Sequence, residues 1–125
     1  MSEREIGTII IQSCMKIHSV IGPGLLEGVY EACLAHELEK RGVAARRQAY
    51  LPIVYKDLTV ENAFRIDLLV GDKVVVELKA IDSLLPVHSA QLLSYMKLGR
   101  YKLGYLLNFN VAHMKDGIKR MVNGL

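Results

Sequence analysis

Two apolar runs, Phe64-Arg65-Ile66-Asp67-Leu68-Leu69-Val70 and Val74-Val75-Val76-Glu77-Leu78-Lys79-Ala80, each carry charge at inner positions and are separated only by Gly71-Asp72-Lys73. Runs of this length and period, joined through a glycine, read as a β-hairpin, and the placement of charge selects its register. A two-residue loop at Gly71-Asp72 pairs Val70 with Lys73 and mixes charge with core on both faces. A three-residue loop, or a bulge of the same effect, pairs Val70 with Val74, Leu68 with Val76 and Ile66 with Leu78. One face is then wholly apolar, and Asp67 lies opposite Glu77 on the other. Lys79, two residues beyond Glu77, shares that second face.

Upstream of the hairpin the apolar period is three to four. Ile6, Ile9, Ile10, Cys14, Ile17 and Ile21 predict a helix from about Glu3 to Val20, broken at Gly22-Pro23-Gly24. A second helix is expected from about Leu25 to Arg41, with Leu26, Val29, Tyr30, Cys33, Leu34 and Leu38 on its apolar side and Gly42 just past its end. From Ala45 the period becomes two, with a turn at Lys56-Asp57 and an edge position or bulge at Pro52. Pro86 opens a third helix that runs to Gly99, and Tyr101 to Phe109 reads as a further strand. Met114 to Gly117 suggests a turn, leaving Ile118 to Val122 as a short strand or a helical turn. The order ααβββαβ(β) is that of a mixed α/β sheet flanked by helices, and 125 residues suit one domain.

Charges inside apolar strands need a physical reason. In the odd-loop register the Asp67 and Glu77 Cβ atoms stand roughly 5 Å apart, and two unit charges at that distance repel by about 3 kcal/mol at an effective dielectric near 20. A divalent cation removes that repulsion, and Mg²⁺ in particular takes one or two carboxylates while keeping waters for substrate oxygens. Lys79 on the same face can hold a metal-bound water and offset charge developing on a phosphate. The competing reading is an ion pair on a solvated sheet face, with Lys79 neutralising Glu77. Glu27 shares a helical stripe with Tyr30, Glu31 and Leu34, so it can lean toward whatever that helix covers. Gln91 and Tyr95 share a helix face with His88, where an amide could orient a water or a phosphate.

Other chemistries are excluded or left unsupported. The four histidines and two cysteines form no zinc-ligand spacing, and Cys14 and Cys33 read as small core residues. The 16 basic and 13 acidic residues give a net charge of +3, which permits a polyanionic partner without requiring one. No apolar run approaches the ~18 residues of a membrane span, and Met1 to Glu5 lacks the order of a secretory signal. The expectation is a cytoplasmic protein.

The segment Gly24-Leu25-Leu26-Glu27-Gly28-Val29-Tyr30 matches the GxxExxY signature, and His18 and Gly22-Pro23-Gly24 before it are similar too. The chain therefore resembles the GxxExxY family of small bacterial and archaeal proteins over nearly its whole length. That resemblance implies a place in the PD-(D/E)xK nuclease-like superfamily, whose restriction-endonuclease-like core is a mixed β-sheet in the order αβββαβ, here with an extra N-terminal helix and spanning residues 1–125. It implies Asp67 and Glu77 as metal-binding acids, Lys79 as the lysine of the ExK motif, Glu27 as the helix glutamate completing the site, and Gln91 as the glutamine of the following helix. Ile66 stands where the motif's proline would precede the aspartate. The implied activity is hydrolysis of phosphodiester bonds in DNA or RNA with Mg²⁺, or Mn²⁺ in its place. The alternative is a catalytically inactive nuclease-fold module that binds nucleic acid or a protein partner. Arg46, Arg47, Arg65, Arg100 and Lys102 are candidates for backbone contacts, and specificity would come from a homodimer or a partner protein.

Overall fold

A computed structural model describes residues 1–125. Helix α1 (Glu3–Ile21) starts from a reciprocal cap, in which Glu5 N–H donates to Ser2 Oγ at 3.2 Å and Ser2 N–H donates to Glu5 Oε1 at 3.2 Å. It buries Ile6, Ile10, Cys14 and Ile17, and stops at Gly22, whose φ of 67° no other residue adopts as cheaply.

Helix α2 (Glu27–Lys40) begins two residues later than the sequence suggests, and Tyr30 supplies the reason. Its hydroxyl donates to the Gly22 carbonyl at 2.6 Å and accepts from Leu25 N–H at 3.1 Å, while its ring stacks on Phe109 with centroids 4.5 Å apart. The link between the two helices is thereby tied down, and the helix starts on Glu27. The apolar side of α2 also needs correction. Leu26 is 81% exposed and Val29 41%, and the buried positions are Tyr30, Glu31, Leu34, Ala35 and Leu38.

The remaining elements are β1 (Ala45–Tyr55), β2 (Leu58–Val70), β3 (Val74–Lys79), α3 (Pro86–Gly99), β4 (Leu103–Asn108), a 3₁₀ turn over Met114–Gly117, and β5 (Ile118–Val122). The last resolves the open choice for the tail in favour of a strand. The five strands form one sheet in the order β1-β2-β3-β4-β5, antiparallel except for the parallel pair β3 and β4. Helix α3 is the crossover that a parallel pair requires. The β1–β2 register shifts between Leu51 and Ile53, so the expected irregularity at Pro52 is present.

Helices α1 and α2 cover one sheet face, burying Leu68, Val70, Val74, Val76, Leu78, Leu103, Tyr105 and Leu107. Helix α3 covers the other, where Leu92 and Met96 meet Leu69, Val75 and Leu106. The β2–β3 ladder has the odd-loop register, Val70 with Val74 and Leu68 with Val76. It differs from expectation one step further on. Ile66 does not continue the face of Leu68 opposite Leu78; it packs with Ala49, Leu51 and Phe64 in the α3 core. Strand β1 changes sides at the same level, with Ala45 against the α1/α2 core and Ala49 in the α3 core. The pleat therefore inverts at the row holding Gln48 and Asp67, and the physical reason is local. Gln48 takes a φ of 50° in mid-strand, while Arg47 with Leu68 and Ala49 with Ile66 keep their pairing on either side.

Candidate metal centre

The pleat inversion ends the β2–β3 ladder, and at that end two acidic side chains take the place of strand carbonyls. Asp67 N–H donates to Glu77 Oε1 at 3.0 Å, and Leu78 N–H donates to Asp67 Oδ2 at 2.8 Å. Each acid accepts a backbone N–H from the other's strand, so the two carboxyl groups are held side by side. Glu77 is partly buried, and that burial, followed by the negative charge of Asp67, pushes its carboxyl from the ordinary 4.5 up to about 8. Lys79 and the Asp67 N–H pull it back only in part.

Glu27 reaches the same group from the first turn of α2. Its carboxyl is raised by burial first, then by the Asp67 charge, with Lys79 acting in the opposite direction and Glu31 adding to the rise. Lys79 faces these acids without pairing to any of them: the ion pairs of the chain are Arg41 with Glu37 and Arg47 with Glu31. A neutralised Glu77–Lys79 pair on a solvated face is therefore not the arrangement present. Asp67 and Glu77 are held together by these hydrogen bonds, while Lys79 and Glu27 are near enough to shift the acids electrostatically but bond to neither. Gln91 does not join them by any hydrogen bond. It is exposed on α3, and its amide donates to Tyr95 Oη at 2.7 Å, with the Tyr95 ring stacked on Phe64.

Gln48 escaped the sequence reading, and Glu31 and Arg47 have parts here that it did not give them. Glu31, only 6% exposed, accepts from Arg47 Nε at 3.1 Å and is bonded by the Gln48 amide. Gln48 Nε2 also stands 3.5 Å from Asp67 Oδ1. Arg47 is thus paired with an internal carboxylate, its side chain still half exposed. The signal was present in Arg46-Arg47-Gln48, three consecutive polar residues that interrupt the strand alternation, and in the four-residue spacing of Glu27 and Glu31.

Nowhere do three or more His, Cys, Asp or Glu side chains cluster tightly enough to cage an ion among themselves. Two adjoining carboxyl groups with a third acid on the neighbouring helix still fit Mg²⁺, which takes few protein ligands and keeps its waters. They do not fit zinc, which needs three or four nitrogen or sulfur donors.

The model of the PD-(D/E)XK nuclease superfamily matches residues 4–121. The chain belongs to that superfamily. Its mixed five-stranded sheet flanked by helices is the restriction-endonuclease-like architecture expected there. No curated protein and no solved structure matches the chain. Asp67 and Glu77-Leu78-Lys79 lie within the matched residues. No helix is long and apolar enough to cross a membrane.

Proposed function

We propose that this protein is a Mg²⁺-dependent nuclease that hydrolyses phosphodiester bonds of nucleic acid, with Asp67 and Glu77 as the cation's ligands and Mn²⁺ as an acceptable substitute. The observation that carries the reading is the interlocked pair itself. Two carboxyl groups are pinned together by backbone N–H donors, and burial, reinforced by the Asp67 charge, raises the Glu77 carboxyl well above its ordinary range. A bound cation would offset both the burial and the Asp67 repulsion that raise Glu77, which is compensation that neither Lys79 nor any ion pair gives this pair.

When bound, the cation neutralises charge on a phosphoryl oxygen and lowers the pKa of a bound water. Asp67 and Glu77 hold and orient it. Glu27, on the first turn of α2, contributes through a water or directly. The Lys79 ammonium positions the attacking water and offsets the negative charge that builds on phosphorus as the leaving oxygen departs. Gln91, outside the acidic group, is assigned at most to a substrate phosphate. Membership of a nuclease superfamily supports nucleic acid as substrate, and a homodimer or partner protein is the proposed source of specificity.

The test measures cleavage of single- and double-stranded DNA and RNA with and without Mg²⁺, for the native chain and for Glu77→Ala. Metal-dependent cutting that disappears in the variant supports the assignment. Equal activity in the two proteins overturns it, and failure of the native chain to bind either cation points instead to the inactive binding module.

A further inference from the structure

Gln48 is the residue near the acids whose conformation the reading above does not explain. Five non-glycine residues have positive φ. Lys56 and Asp72 lie in hairpin turns, Arg100 at the end of α3, and Asn62 where the β1–β2 register shifts. Gln48 alone lies within an unshifted stretch of strand pairing, where nothing about chain reversal calls for it. A non-glycine residue in that region carries strain of about 1 kcal/mol, which persists only where surrounding contacts impose it.

Those contacts form a line. Arg47 Nε and its guanidinium nitrogen hold Glu31 Oε2 at 3.1 and 3.0 Å. Glu31 Oε1 accepts from the Gln48 amide, whose nitrogen lies 3.5 Å from Asp67 Oδ1. Arg47 cancels the charge of Glu31, so this buried carboxylate does not compete for a cation and serves as an acceptor for Gln48. Asp67 Oδ2 accepts from Leu78 N–H, and the Gln48 amide is the donor standing beside Oδ1. An amide donor beside Oδ1 biases the rotation of the carboxylate, and that oxygen keeps a second lone pair for another partner.

We propose that Gln48 is a positioning residue for cation capture: anchored by the Arg47–Glu31 pair, it turns Asp67 Oδ1 toward the space shared with Glu77. The inference rests on the reading of Asp67 and Glu77 as cation ligands. Groups of this kind, touching a ligand and not the metal, typically carry ten- to a hundredfold of metal affinity.

Glycine accepts a φ of 50° without strain, so Gln48→Gly deletes the amide while relieving the backbone. Calorimetric titration of the metal-free protein with Mn²⁺, together with its thermal midpoint, should show affinity reduced by about tenfold or more with a midpoint equal to or above that of the native chain. Gln48→Asn, which tolerates the same backbone region but is one methylene short of Asp67, should also lose affinity. A glycine variant that binds Mn²⁺ like the native chain overturns the proposal. So does one whose midpoint falls in step with its affinity, because that is the signature of a purely structural amide. Absence of Mn²⁺ binding by the native chain would instead remove the underlying metal reading, which separates the two failures.

Discussion

Replacing Glu77 by glutamine should stabilise the metal-free protein in alkaline solution. The native carboxyl titrates at about 8 in the folded chain against an ordinary value of 4.5. A raised acid favours folding in its neutral form, so the associated stability is fully present below pH 4.5 and is lost as pH rises toward 8. Taken at face value, that difference corresponds to roughly 4 kcal/mol between pH 5 and pH 9; access of solvent to the half-buried group brings it to about 2 kcal/mol. The Asp67–Glu77 repulsion, about 3 kcal/mol at an effective dielectric of 20, is of the same size. Glutamine keeps an oxygen for the Asp67 N–H and has no charge to lose. The stability of the native chain in chelator should therefore fall relative to Glu77→Gln by about 2 kcal/mol over this range, or about 8 °C in midpoint. Urea unfolding of both proteins at pH 5, 7 and 9 measures it. Parallel pH dependences, or a native chain that gains on the variant as pH rises, would refute the account of Glu77 as an uncompensated buried acid. Adding Mg²⁺ at pH 9 should recover stability in the native chain and not in the variant, because only a ligand bound to the folded form shifts the equilibrium.

Other positions make independent demands. Tyr30→Phe leaves the Gly22 carbonyl and Leu25 N–H without their partner and should lower stability by about 1–2 kcal/mol, read by urea unfolding, while loosening the start of α2 beneath Glu27. Arg47→Ala strands the Glu31 carboxylate, a loss of about 1–2 kcal/mol that a simultaneous Glu31→Gln substitution should partly restore in a double-mutant cycle. At Gly117 an added Cβ would collide with the Asn108 backbone carbonyl, so Gly117→Ala should cost about 3 kcal/mol in the same assay by forcing the 3₁₀ turn away from β4. Cys14 is buried and its thiol is raised by desolvation, so its alkylation should follow global unfolding, measurable by mass spectrometry across a urea series.

Much of this protein is set by local pattern. The helices, the hairpin and its three-residue loop follow from the spacing of apolar residues and from glycine and proline, because burial depends on periodicity that neighbouring residues already express. The register from Val70 to Leu68 was legible for the same reason, whereas Asp67 and Glu77 meet beyond the end of that ladder through side-chain to backbone hydrogen bonds. What the sequence left undetermined arises where a residue departs from its strand's period. The inversion of the pleat at Gln48 sends Ile66 to the opposite core, and burial of Glu31 in place of Leu26 and Val29 turns α2 about its axis. Both depend on contacts between β1, β2 and α2 that lie 16 to 19 residues apart along the chain. Periodicity describes how each element repeats, whereas a backbone held at φ 50° against its intrinsic preference is stabilised only by groups arriving from elsewhere in the fold. The acids and the lysine could thus be named from sequence, while the line of Arg47, Glu31 and Gln48 that borders them existed only once the strands and helix had packed.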